Sequence, residues 1–167
     1  MIVPANTSSG EVLLQDYTHL TSDKDAGQTH NRAGADGDVI LERNTQVLNA
    51  EWVDVDVVNN VTRAGDQFTL SDSANNSNIS GERLVYNMET RQGEAHRSRF
   101  ESSQEDRRIQ GVSEKMAMLG DNRYQLQDAK INTCDPGDDS WHIRARQVTA
   151  DYNKNVGVAR GAALVFK

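Results

Sequence analysis

Four histidines, one cysteine and 25 acidic side chains are the residues of this chain with chemistry available to them. A metal site would need ligands at fixed spacings. His19, His30, His96 and His142 have no such spacing, and the chain holds neither an HExxH run nor a Cys–His pair. Asp23-Lys24-Asp25-Ala26-Gly27 opens like a calcium loop but lacks the later acidic ligands and the closing Glu. Phosphate binding would need a glycine-rich loop, and the run Ala33 to Asp38 has the wrong spacing and too much negative charge. Glycosidase chemistry would set two carboxylates apart from the rest, and serine hydrolysis would show a Gly-x-Ser-x-Gly elbow; the sequence has neither signature. Cys134 sits beside the acidic turn Asp135-Pro136-Gly137-Asp138-Asp139, whose charge disfavours the thiolate that a nucleophile requires. An exposed thiol at that turn is expected to pair with another segment or chain in an oxidising compartment. No enzyme activity, metal or cofactor is expected.

The composition points the same way. Lys and Arg number 18 against 25 Asp and Glu, a formal net charge of −7, so no basic face is expected to neutralise phosphates and nucleic acid is not an expected partner. Hydrophobic residues make up 36 % and mean hydropathy is −0.72, lean for a compact core and suited to an elongated protein. No apolar stretch approaches the roughly 18 residues of a membrane helix. Met1 to Asn6 has neither a charged leader nor a long apolar run, so the chain reads as a mature form behind a start Met. Its length suits one domain: residues 1–10 are read as a flexible N-terminus and 11–167 as the domain.

The elements are set by a repeat of about 30 residues. Its anchors are Ala50, Gly81, Gly111 and Ala145, each with a branched aliphatic two residues earlier: Leu48, Ile79, Ile109, Ile143. Three residues after the anchors come Val53, Leu84, Glu114 and Val148; five after, Val55, Tyr86, Met116 and Ala150; seven after, Val57, Met88, Met118 and Tyr152. Polar residues such as Asp54, Asn87 and Lys115 lie between, which is the period of a half-buried strand. The apolar parity switches once, just after the anchor, which calls for a bulge or bend beside a small residue. Each unit is therefore read as a long strand bent at its Gly or Ala.

Turn formers follow at Ala64-Gly65-Asp66, Leu119-Gly120-Asp121-Asn122 and Asp135 to Asp138, with a longer polar loop over 72–78. Return runs then come back at Gln67 to Leu70, Glu94 to Phe100, Arg123 to Leu126 and Val156 to Phe166. The segment around Ile109, Val112, Met116 and Leu119 also fits an amphipathic helix; its register with the other units favours a strand. Val12-Leu13-Leu14 and Val39-Ile40-Leu41 read as strands, and 22–38 as a loop around a short strand. The fold class is all-β, built of long antiparallel or stacked strands.

The apolar column has two readings. It is either an ordinary β core, or an inner face partly open to an apolar ligand, with Met88, Met116 and Met118 as an adaptable lining. Pattern alone leaves both open.

The C-terminal half adds a resemblance. Asn122-Arg123-Tyr124-Gln125-Leu126-Gln127-Asp128-Ala129 leads into Thr133-Cys134-Asp135-Pro136-Gly137-Asp138-Asp139-Ser140-Trp141, then His142 to Val148 and Ala159 to Lys167. These segments resemble the end of the periplasmic domain of the LptD family of lipopolysaccharide-assembly proteins, and the repeat resembles the OstA-like module shared with LptA and LptC. The likeness covers roughly residues 38–167. It implies an OstA-like β-jellyroll, open and V-shaped, on the periplasmic side of a Gram-negative outer membrane. Acyl chains of lipopolysaccharide would lie along the inner column together with Phe68, Phe100, Tyr124, Leu126, Leu164 and Phe166. Partners implied are an LptA-type bridge protein joined by edge-strand pairing, and a C-terminal barrel with the LptE lipoprotein. Cys134 matches a cysteine that the family bonds to the barrel, while the family's cysteine near the mature N-terminus has no counterpart here. An LptA-like or LptC-like bridge component is the alternative, and a carbohydrate-binding β-sandwich, which would expose aromatics on a flat face, is a further one.

Overall fold

In the computed structural model the described residues are 3–5, 10–12, 19–22, 25–28, 32–104, 107–135 and 137–167. Short strands come first: β1 (Val3–Ala5), β2 (Gly10–Val12), β3 (His19–Ser22) and β4 (Asp25–Gln28). Nine long ones follow: β5 (Arg32–Arg43), β6 (Gln46–Asp56), β7 (Val61–Asp72), β8 (Ser77–Asn87), β9 (Gln92–Gln104), β10 (Arg107–Gly120), β11 (Arg123–Asn132), β12 (Trp141–Asp151) and β13 (Val156–Phe166). From β5 onward each strand pairs antiparallel with the next, while β3 and β4 pair with the two halves of β5. The order does not return to its start, so the sheet is open. Among the residues expected to form a flexible N-terminus, Val3–Ala5 pair with β4; Leu13 and Leu14 lie outside the described residues. The loop expected over 22–38 is largely strand, because Ala33 and Ala35 supply the inward positions that β5 needs.

The expected change of face occurs on β6, β8, β9, β10, β11 and β12, whereas β5 and β7 keep one parity and turn the corner through the left-handed pairs Gly37-Asp38 and Asp66-Gln67; the corners fall on one line across the sheet. On β6 the buried residues run Leu48, Ala50, then Val53, Val55; on β8 Ile79, then Leu84, Tyr86. The register joins Ala50 to Phe68, Phe68 to Gly81, Ser98 to Ser113, Ser113 to Ala129 and Ala129 to Ala145. Apart from Phe68 this row is small, as an apex requires where two halves of a bent sheet converge. Phe68 fits because its partner has no side chain: a Cβ on Gly81 would lie 3.0 Å from Phe68 Cε1. Alternate strands turn the corner with left-handed residues, among them Asp66 (φ 56°), Gln67 (φ 79°), Arg97 (φ 46°) and Asp128 (φ 49°), the conformation a bulge uses to bend a strand.

Two local expectations are corrected by this line. Ala64-Gly65-Asp66 is the bend inside β7 and not a reversal; the chain reverses at 57–60 instead. On β10 the corner is at Ser113, two residues beyond Gly111, because Ser113 meets Ser98 at the apex, where their buried hydroxyls are 2.9 Å apart. Gly111 lies under Phe100 on the next strand, where a Cβ would come within 2.8 Å of the ring. The segment with the helix-like spacing is strand β10.

Trp52 is half-buried and lies against Gly65, its Cζ2 2.5 Å from where a Cβ would stand. It does not belong to a flat exposed aromatic face.

Candidate functional site

Bending turns the apolar rows of the two half-sheets toward each other. One half contributes Leu41, Leu48, Leu70, Ile79 and Phe100; the other contributes Val53, Leu84, Met116, Leu126 and Val148. Across β5–β8 this interior is packed shut. Leu41, Leu48 and Val55 are 0 % exposed, and Val53, Phe68, Leu84, Tyr86 and Met88 are also buried.

Polar groups seal the mouth of this half. Gln46 is buried and reaches from the end of β6 across to the opposite half-sheet. Its Nε2 donates to the Met88 carbonyl at 3.0 Å, and its Oε1 accepts from the Tyr86 hydroxyl at 3.0 Å. Beside it Asp72 is buried, accepts from Thr45 Oγ1 at 2.7 Å and the Ala74 amide at 3.0 Å, and pairs with Arg91 at 2.8 Å. Buried polar atoms that each find a partner hold a defined geometry.

From β8 to β12 the buried core continues but leaves a cleft. This cleft, enclosing about 580 Å³ with the open solvent at its mouth included, lies between Ile79, Phe100 and Ile109 on one side and Met116, Tyr124, Leu126 and Val148 on the other. Ile131, Ala150 and Tyr152 complete the apolar wall, with Asn75, Ser77, Ser102 and Asn122 at the rim. The Tyr124 and Tyr152 rings meet edge to face, centroids 5.7 Å apart. Burial raises the hydroxyl pKa of both, that of Tyr152 to about 12, and that of Tyr86 also rises. Farther along, the wall ends in the open: Leu164 and Phe166 on β13 face the same way as their partners Ile143 and Trp141 but are 56 % and 72 % exposed.

Of the eighteen residues expected to line a groove, Ile79, Phe100, Ile109, Met116, Tyr124, Leu126 and Val148 border this cavity; Ile79, Phe100, Met116, Leu126 and Val148 do so as buried members of the same core, and Ile109 and Tyr124 pack against it. Leu48, Val53, Val55, Phe68, Leu84, Tyr86, Met88 and Met118 belong to the buried core, Ile143 packs half-buried against it, and Leu164 and Phe166 lie on the open strand. Ile131 was missed; the signal was its place opposite Ile143 in the return strand. Cys134 is not exposed. Gln110 Nε2 donates to its carbonyl at 3.2 Å and Asn132 Oδ1 accepts from its amide at 3.2 Å, which turns the thiol inward toward the Trp141 carbonyl. Among the described residues no cluster of His, Cys, Asp or Glu is placed to hold a metal.

A bent, open antiparallel sheet with an apolar slot agrees with what comparison of the whole sequence finds. The family model for the LptA/(LptD N-terminal domain) LPS transport protein matches residues 18–156. The chain belongs to this family. It is 42 % identical over 159 residues, 95 % of its own length, to proteins named LPS-assembly protein LptD of Neisseria meningitidis serogroup A and of Neisseria gonorrhoeae. The LptD of Chromobacterium violaceum is 27 % identical over 147 residues, 79 % of this chain. The chain spans about a fifth of the length of the Neisseria relatives, 20 % of each. The crystal structure of LptH, the LptA-homologous periplasmic component of the lipopolysaccharide transport device of Pseudomonas aeruginosa, aligns over all of this chain and 95 % of its own at 12 % identity and TM-score 0.36. In this LptD_N domain, then, the family's module is half packed and half open.

Proposed function

We propose that this domain binds acyl chains of lipopolysaccharide in the open half of its bent sheet and passes the lipid from a periplasmic bridge to an outer-membrane barrel. The observation that carries this reading is the apolar cavity between β8 and β12, in a chain belonging to a family of lipopolysaccharide transport proteins. Burying hydrocarbon is worth roughly 0.8 kcal/mol per methylene, so an apolar slot holds tails without a basic patch, in keeping with the acidic composition. The lipid would leave its sugar in water at the rim, where Asn75, Ser77 and Asn122 lie. The exposed residues Leu164 and Phe166 would continue the slide beyond the cavity. The groove-lining role falls on the cavity residues, with Leu48, Val53, Val55 and the rest of the packed column acting as the support that fixes them.

The partners follow from the same reading: an LptA-type bridge protein by edge-strand pairing, and a barrel with its LptE lipoprotein, at the periplasmic side of the outer membrane. Among the described residues β13 pairs only with β12, so its outer edge offers unpaired backbone of the kind that takes an added strand. Cys134 would form its disulfide with the barrel once the local loop opens. No catalytic step is assigned.

Binding of lipopolysaccharide to the immobilised chain tests the reading. A charge in the cavity wall, Ile109→Asp, is expected to weaken binding tenfold or more, about 1.4 kcal/mol or above. Val112→Asp, on the outer face of the same strand and already 36 % exposed, is expected to leave binding unchanged. Equal effects of the two, or none from either, would remove the cavity from the account.

A further inference from the structure

Beside the apolar lobe lies a second, polar lobe enclosing about 410 Å³, open solvent included, bounded by Gln46, Asp72, Arg91, Asn122 and Arg123; the two adjoin along the residues they share, Asn75, Ser77, Ile79, Asn122 and Tyr124. Two arginines and one aspartate line the polar lobe, a net positive spot in a chain of net charge −7.

The aspartate is already satisfied. Asp72 takes bonds from Thr45, the Ala74 amide and Arg91, and so has little to offer a ligand. The arginines are not. Among the described residues Arg91 gives one guanidinium nitrogen to Asp72, and Arg123 approaches only the exposed Asp121 at 3.9 Å. A guanidinium carries five donors in a planar fork, so most of theirs meet no acceptor among the described residues. Tyr124 stands where the lobes meet. Its ring packs on Tyr152 inside the apolar lobe, its hydroxyl lies within the fields of Asp72 and Arg91, and that hydroxyl has no hydrogen-bond partner among the described residues.

We propose that the two lobes form one site for a single-tailed unit of an anionic amphiphile. The tail fills the apolar lobe, a carboxylate or phosphate head lies against Arg91 and Arg123, and the Tyr124 hydroxyl bonds the polar group at the root of the tail. This rests on the tail-binding reading above and adds a head subsite to it. The separation is physical: dispersion and burial hold the tail whatever its head, whereas charge-assisted hydrogen bonds select the head.

The test is displacement of the uncharged dye N-phenyl-1-naphthylamine from the 167-residue chain at pH 8 by tetradecanoate and by 1-tetradecanol, which share a tail and differ in the head. The chain is expected to bind tetradecanoate about tenfold tighter, a difference of about 1.4 kcal/mol. Arg123→Gln, which disturbs no buried group, is expected to remove part of that preference, and Arg91→Gln with Arg123→Gln all of it, with 1-tetradecanol unaffected. Tyr124→Phe is expected to weaken both ligands by a similar factor, and the preference is expected to fall as salt rises. Equal binding of the two ligands, unmoved by the arginine changes, overturns the head subsite and leaves the tail site standing. Failure of either ligand to displace bound dye overturns both.

Discussion

Strands β5–β8 and β9–β13 carry the same alternation and the same bend, yet they end in different physical states. In the first group the facing rows are Leu against Val and Leu, the interior is full, and Gln46 and Asp72 close the mouth with buried hydrogen bonds. In the second the rows thin out. Small residues such as Gly111, Ala150 and Gly157 stand where β6 and β8 place Leu48, Val55, Ile79 and Tyr86, and no buried polar bridge joins the halves among the described residues. One sequence pattern thus builds a rigid support and a slot. The difference is set by side-chain volume along a row and by one glutamine, and not by strand order.

The largest expected effect separates the two regions by stability. Leu48→Ala is expected to lose about 3 kcal/mol, the cost of a cavity in a closed core, whereas Leu164→Ala, at a residue 56 % exposed, is expected to lose less than about 0.5 kcal/mol. Urea denaturation gives both values; similar losses would mean that β13 is packed as tightly as β6.

Next comes the closure itself. Gln46→Leu strands the Tyr86 hydroxyl and the Met88 carbonyl, and a loss of about 2 kcal/mol is expected. Adding Tyr86→Phe should recover part of it, a non-additivity that a double-mutant cycle reads directly.

Alkali offers a test of how dry the slot is. An unfolded tyrosine ionises near pH 10, but burial holds Tyr152 protonated to about 12. Above about pH 10 the unfolded chain therefore binds fewer protons than the folded one, and stability is expected to fall as pH rises from about 10 to about 12, being complete below that window. Following the urea midpoint with pH for the parent and for Tyr152→Phe isolates this contribution. An identical pH profile would mean that the ring titrates in water and the cavity is wet.

The smallest effect has the opposite sign. Thr62 on β7 is fully buried in the packed half, and its hydroxyl has no partner among the described residues. Thr62→Val is expected to stabilise by about 1 kcal/mol, read as a higher melting temperature; a loss would point to a polar contact that the packed half depends on.

Much of this was legible in the sequence, and for a stated reason. A period of two and its single phase change are local, so β6, β8 and β12 could be read from Leu48–Ala50–Val53, Ile79–Gly81–Leu84 and Ile143–Ala145–Val148. The inward set followed from the same alternation. What could not be read was where the two halves leave space, because that depends on which residues face each other across the bend. Phe68 and Phe100 look alike in sequence, and each is buried over a glycine, Gly81 and Gly111, but the second also borders the cavity. Nor could Gln46 be singled out: its partners are 40 and 42 residues away. Ala64-Gly65-Asp66 reads as a turn because a bulge and a reversal use the same left-handed residues. Cys134 reads as exposed because its acidic neighbours are, although Asn132 and Gln110 fold it inward.

Site-specific photo-crosslinking to lipopolysaccharide tests the division between support and slot most directly. Probes at Leu126, Tyr124 and Ile109 are expected to give adducts, whereas probes at Leu48 and Val55, and at the outward Asn87 and Lys115, are expected to give none. Adducts at Leu48 and Val55 equal to those at Leu126 would contradict the account, because lipid would then run the whole length of the column and the closed half would not be closed.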